Sequence, residues 1–296
     1  MRLTLLFLLL TRFCYAQSSF FVGAQGGIHI TTLLNKEDKK APDGMLDKKN
    51  GIQPGYGIQL GYKYKQFGIS IEPNYLQYKI SYSGHSDTAN IRSFDATARF
   101  KYYQIPLVLS YGYSINKKLS LNIGIGASYN YLSYYKEEFE GKVAIAGIPN
   151  ILYTSSYYNQ GLYGHSELKE VTYANAEINY EEPKYNYSNQ SLIFKLQTEY
   201  NLLDKFVLFV KFQYDKGITD IENKGISNES VKEVSGATYT NRINYWNETN
   251  YLRYYQRSPD KYNQRPATYT MALGIGFGLR FYLSGSDINS ERQTLH

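Results

Sequence analysis

Large apolar and aromatic residues occupy every second position through several stretches of this chain. In residues 102–114, YYQIPLVLSYGYS, the large set is Tyr103, Ile105, Leu107, Leu109, Tyr111 and Tyr113, separated by Gln104, Pro106, Val108, Ser110 and Gly112. Residues 267–283 repeat the pattern, with Tyr269, Met271, Leu273, Ile275, Phe277, Leu279 and Phe281 set against a face of Thr, Ala, Gly and Arg280. The stretches 56–64, 119–131, 192–202 and 206–214 do the same. Period two over this length predicts strands, not helices. Two less regular segments, 19–31 and 67–82, bring the expected number of strands to eight.

The composition of the two faces decides which one meets solvent. The polar face is rich in glycine, which water gives no reason to select, but which the tightly curved interior of a small closed barrel does. The apolar face then looks outward into lipid, and the tyrosines at its ends form the girdles found at headgroup level. Tyr103 to Tyr113 spans about the 9 to 11 residues that a tilted strand needs to cross a bilayer. The predicted fold is therefore all-β, a transmembrane antiparallel up-and-down barrel of eight strands. Pro106 falls on the inward parity, where a bulge is expected to absorb its missing donor.

The connections fit that topology. Lys65-Gln66, Asn116-Lys117-Lys118 and Asp204-Lys205 read as short turns, alternating with long links at 35–50, 84–93, 140–190 and 222–266. Short turns face the periplasm and long loops the exterior in such barrels. Within the 140–190 link, KVAIAGIPNILY and KEVTYANAEINY have strand-like composition. Ten strands is accordingly the alternative.

The first residues add a location. Arg2, the apolar run 3–10 and Cys14-Tyr15-Ala16 make a secretory signal peptide, expected to occupy residues 1–16. The barrel is then expected over 17–283, with long outer loops at about 140–190 and 222–266, and a periplasmic C-terminal tail at 284–296. Cleavage removes Cys14, the single cysteine, so disulfides, thiolate chemistry and cysteine-ligated metals are excluded from the mature chain. The net charge of +6 is spread without a run of five like charges, which argues against nucleic acid. A mean hydropathy of −0.46 argues against a helical membrane protein, but does not exclude a barrel, whose alternating strands average out.

The strand containing YQIPL resembles the aromatic-x-IPL-apolar strand carried in mid-chain by the PorT-like outer-membrane β-barrel family of Bacteroidota. GAQGGIHITTL, GYGIQLGYKY, ISIEPNYLQY and the glycine-alternating last strand ending in Phe281 and Tyr282 are similar to that family too. The resemblance covers the strands, about half of the expected mature chain, and implies a fold and a location. The family is functionally mixed, with a founding member associated with type IX secretion. The chain departs from it by running on past its last aromatic through SGSDINSERQTLH.

The inward parity carries Lys63, Glu72, Lys195, Glu199, Lys211, Asp215 and Arg280. Side chains fill an eight-strand barrel, so these charges are expected to pair and plug the lumen; the competing reading is a gated proton or ion path. His85-Ser86-Asp87 and His165-Ser166-Glu167 invite a catalytic reading, but a triad converges in space, and sequence adjacency counts against it. His29, His85, His165 and His296 lack metal spacing, and no cofactor or metal is implied. Function is expected in the Tyr- and Asn-rich outer loops, where Tyr245, Trp246, Tyr251, Arg253, Tyr254 and Tyr255 are the candidate contact residues. The resulting reading is a non-enzymatic outer-membrane barrel, embedded in outer-membrane lipid and serving as accessory or interaction subunit of a secretion or uptake assembly. A small pore is one alternative; an outer-leaflet lipid or peptide hydrolase using Ser86 or Ser166 is another.

Overall fold

The computed structural model describes residues 18–35, 46–84, 91–145, 148–160, 163–171, 174–180, 185–222, 231–236 and 267–283. The expected signal peptide and C-terminal tail lie outside the described residues. Among these residues lie thirteen strands: β1 (Ser18–Leu34), β2 (Leu46–Tyr64), β3 (Phe67–Ile71), β4 (Asn74–Gly84), β5 (Ile91–Ser114), β6 (Leu119–Ile145), β7 (Ile148–Gln160), β8 (Tyr163–Val171), β9 (Ala174–Tyr180), β10 (Ser188–Leu203), β11 (Phe206–Gly217), β12 (Val231–Gly236) and β13 (Tyr269–Tyr282).

Eight walls close into a ring: β1, β2, the pair β3 and β4, then β5, β6, β10, β11 and β13, which returns to β1. Closure runs antiparallel from Phe21↔Tyr282 to Leu34↔Tyr269. Closing the sheet leaves the ring without an open edge, the condition for crossing a bilayer. At the turn end, Lys65 adopts φ 52° between β2 and β3. Asn116 Oδ1 accepts from the amides of Lys118 and Leu119 at 2.8 and 2.9 Å, fixing the β5–β6 turn.

The apolar parity faces out as expected: Tyr103, Ile105, Leu107, Leu109, Tyr111 and Tyr113 are all exposed. The outer aromatic girdle is a continuous row in register across four strands, Tyr56↔Tyr75↔Tyr103↔Tyr131. Its rings lie 5.1 Å apart for Tyr56–Tyr75 and 5.6 Å for Tyr75–Tyr103. At the turn end, Phe20–Tyr62, Phe67–Tyr111 and Phe206–Phe281 form the counterpart, with centroids 4.9 to 5.3 Å apart.

Three expectations need correction. First, no register shift occurs at Pro106: the β5–β6 ladder is continuous there. The neighbouring wall yields instead. The Glu72 amide donates to Pro106 O at 3.0 Å, the return bond has no donor because proline lacks an N–H, and the wall breaks at Glu72-Pro73 into β3 and β4. Second, the strands are longer than a membrane requires. Twelve residues of β5, 91–102, continue beyond Tyr103, roughly 40 Å of extended chain. Links read as loops, at 46–50 and 140–145, are already strand. Third, the extra strands in 140–190 do not enter the ring. β7, β8, β9 and then β12 add sideways to the outer end of β6 as an antiparallel sheet.

Above the girdle the barrel's polarity inverts. Leu76, Tyr78, Ile80 and Tyr82 of β4 and Ala96, Ala98, Phe100 and Tyr102 of β5 are buried inside, while Gln77, Lys79, Lys101 and Arg99 take the outward parity. Tyr185 closes this core, its ring 4.9 Å from Phe100 and 5.1 Å from Tyr135, both near-perpendicular. The outer storey is thus packed like a water-soluble protein, the inner storey like a membrane one. Phe100→Ala is expected to destabilise the fold by about 3–5 kcal/mol by opening a cavity. Leu107→Arg should cost about 2–4 kcal/mol in bilayers, from charge on the lipid face. Urea titrations in detergent micelles and in bilayers check both, since only the second loss is tied to a hydrocarbon core.

Candidate functional site

The lumen of the inner storey holds most of the buried charged side chains among the described residues, and its order follows from strand parity. Arg280 on β13 donates from Nη1 to Glu199 Oε1 on β10 at 2.5 Å, and from Nη2 and Nε to Gln59 Oε1 on β2 at 2.8 and 3.3 Å. Its guanidinium lies between two rings, 4.2 Å from the Phe21 centroid and 5.2 Å from that of Phe209. Those rings need clearance that only glycine leaves: a Cβ at Gly61 would overlap Phe21, and one at Gly278 would overlap Phe209. Glu199 also accepts from Gln197 at 2.7 Å and from Ser120 at 3.4 Å, with Lys63 Nζ 3.9 Å away.

A second centre lies on Glu72. Lys195 donates to its Oε1, Ser70 donates to the same oxygen at 2.8 Å, and Lys211 Nζ stands 3.9 Å from Oε2. Two glutamines join the centres. Gln59 Nε2 donates to Gln25 Oε1 at 2.7 Å, and Lys211 donates to that oxygen at 2.8 Å. Gln25 Nε2 in turn donates to Asn74 Oδ1 at 2.5 Å. Two cavities of about 20 Å³ each lie within this network, one beside His29, Gln104 and Lys211, the other beside Lys63, Lys195 and Glu199. Each has room for about one water.

Six of the seven predicted interior charges are thereby brought into one connected cluster. Asp215 is the exception. Among the described residues no salt bridge reaches it; Gln104 donates to its Oδ2 at 3.1 Å, near the buried amides Asn130 and Asn189, themselves 2.7 Å apart. The expectation that every interior charge pairs with an opposite one fails there because neutral donors replace the cation. Sequence reading missed Gln25 and Gln59, although both sit on inward parities between glycines. It also gave no role to His29, whose ring occupies the space left by Gly55 and Gly274 on the adjacent strands.

The remaining candidates do not assemble here. His165-Ser166-Glu167 lies on β8 in the outer sheet, away from the ring. His85-Ser86-Asp87 and all six candidate loop contacts, Tyr245, Trp246, Tyr251, Arg253, Tyr254 and Tyr255, lie outside the described residues. Tyr185, one of the aromatics in the 140–190 link, is a core residue of the outer storey.

A closed eight-wall ring with a lipid-facing apolar band, two aromatic girdles and a charge-filled lumen defines an outer-membrane β-barrel. The chain belongs to the family described as outer membrane protein beta-barrel domain, whose profile matches residues 15–223. No curated protein matches it. Among solved structures it is similar to Neisserial surface protein A, with 10% identity over 89% of this chain and 97% of that one, at a TM-score of 0.37. OprG from Pseudomonas aeruginosa shows 10% identity over 89% and 97%, at 0.35. The outer membrane protease OmpT from Escherichia coli shows 9% over 90% and 96%, at 0.37.

Breaking the Arg280–Glu199 pair from one side leaves the buried carboxylate with only the more distant Lys63, 3.9 Å away, as counter-charge. Arg280→Met is expected to destabilise the barrel by about 3–5 kcal/mol. The double variant Arg280→Met/Glu199→Leu should recover most of that loss, because the orphaned carboxylate goes with it. The temperature at which the folded gel band converts to the unfolded one measures both.

Proposed function

We propose that this protein is a non-enzymatic, non-conducting barrel that serves as an accessory or interaction subunit of a surface assembly, offering its outer sheet to a protein partner. The observation that carries the reading is the filling of the tube at two heights. Lys63, Glu72, Lys195, Glu199, Lys211 and Arg280 occupy the inner storey, and Tyr78, Phe100, Tyr102, Tyr135 and Tyr185 the outer one. A barrel so packed is suited to holding something at the surface. The strand addition β6–β7–β8–β9–β12 supports the same reading, since it builds ordered backbone where the membrane needs none. The YQIPL strand and its companion motifs support membership of the PorT-like barrels of Bacteroidota, and with it a secretion or uptake setting.

Two measurements test this. In planar bilayers the purified protein should give no unitary conductance, and Arg280→Ala none either; discrete channels that change with Arg280 would establish the pore instead. Exchanging residues 146–184 for a short turn should leave a heat-modifiable barrel in the outer membrane. The same exchange should abolish co-purification of a stoichiometric companion in mild detergent. A wild-type barrel that elutes alone from its native membrane would remove the partner from the reading.

A further inference from the structure

The outer wall of the barrel carries a charge pattern that folding alone does not explain. One step outward from the tyrosine row, Gln77, Lys101 and Tyr134 are in register on β4, β5 and β6, and the Lys101 ammonium lies 4.7 Å from the Tyr134 ring centroid. At the next step Lys79, Arg99 and Lys136 stand directly opposite one another across the same three strands. Tyr78, Phe100 and Tyr135 beside them in sequence are buried inside, so these three cations face out. Neighbouring strands are about 4.8 Å apart, which places three positive groups within about 10 Å.

Like charges directly opposite on adjacent strands destabilise a sheet. One carboxylate partly offsets them: Glu138 lies 2.7 Å from Lys136 and 3.3 Å from Arg99. The Lys136 hydrogen bond, with Arg99 and Lys79 nearby, holds its carboxyl below the usual range. With Lys101 below, the patch keeps a surplus of three positive charges. Lys49, paired with Ser81 on the flank, is turned toward Asp47 at 3.7 Å. Among the described residues of β10, β11 and β13 no outward row of cations occurs: Leu192, Lys216 and Met271, in register there, carry the single charge of Lys216, on a row where Leu192 pairs with Ala127, inward of Tyr131.

Height decides the partner. The patch sits immediately outside Tyr75, Tyr103 and Tyr131, rings that mark the headgroup boundary, and it lies on the barrel's outer wall. We propose that Lys79, Arg99, Lys101 and Lys136 form a binding shelf for the phosphorylated headgroup of an outer-leaflet lipid. The acyl chains of that lipid would run down the apolar band below the tyrosines. The headgroup phosphates relieve the in-register repulsion, and guanidinium and ammonium groups both donate charge-assisted hydrogen bonds to phosphate oxygens. This site is separate from the lumen, and at Lys136, which pairs with Tyr158 of β7, it borders the outer sheet.

The test uses the full-length barrel in a zwitterionic detergent at low salt, titrated with diphosphoryl lipid A. Each cation near a phosphate surface contributes about fivefold in affinity. The triple variant Lys79→Gln/Arg99→Gln/Lys136→Gln is therefore expected to bind on the order of a hundredfold more weakly. It should unfold at the same temperature as wild type or higher in the lipid-free detergent, because three opposed charges are gone. Lys216→Gln should bind as wild type does. Equal binding by the triple variant and wild type overturns the proposal, as does an equal loss in Lys216→Gln. Inorganic phosphate that displaces the lipid at comparable concentration would also overturn it, making the shelf a site for free anion.

Discussion

A bilayer offers no water to a backbone amide, and that constraint governs the rest of this structure. The sheet must close, so β13 returns to β1 over fourteen register pairs. Once closed, its apolar face can only point into lipid, and whatever polar side chains the strands carry are committed to a narrow lumen. There every charge needs a partner. Arg280 finds Glu199, Gln59 and two aromatic rings; Glu72 collects two lysines and a serine. The glycines of the inner face follow from the same geometry, since long charged and aromatic side chains can cross the lumen only where facing positions have none.

Beyond the tyrosine row the constraint is lifted, and the chain reverts at once to ordinary burial. The change requires no break in the tube. On β5, even-numbered residues point inward throughout, from Ala96 to Val108. What changes is which parity is apolar: Tyr103, Ile105 and Leu107 are odd, while Ala96, Ala98, Phe100 and Tyr102 are even. On β6 the same exchange is reached through the register shift opposite Lys101/Tyr102, at Ser133, whose hydroxyl donates to Lys101 O at 3.0 Å.

Much of the fold was therefore legible in the sequence, because period two together with glycine on the polar face has few other solutions. The eight walls, the outward parity and the short turns at 65–66, 116–118 and 204–205 all follow from it. The exchange of parity was equally present, and was read as irregularity: residues 67–82 looked indistinct because Phe67, Ile69 and Ile71 are odd while Leu76, Tyr78, Ile80 and Tyr82 are even. A sliding pattern averaged over such a segment cancels, although each half is strongly periodic. The pairing of interior charges could be expected as a class from parity alone. Their actual partners could not, since Lys211 and Gln25, or Arg280 and Gln59, meet only through ring closure and stagger. The neutral surroundings of Asp215 are hidden for the same reason.

Among the described residues the strands of the ring run to different distances beyond the tyrosine row, and this asymmetry bears on what the protein can do. β10 begins at Ser188, opposite Tyr131 of the girdle, and β11 and β13 end close by, whereas β5 and β6 run on for a dozen residues or more. Among the described residues β5 and β6 thus form one tall wall. That wall carries the apolar core on its inside, the cationic row on its outside and the added sheet at its far edge. Because β6 is one uninterrupted strand from Leu119 to Ile145, the outer sheet is joined to the membrane-embedded tube by hydrogen-bonded backbone throughout. A load or ligand held by that sheet would be positioned against the bilayer by the barrel itself, with no hinge between them.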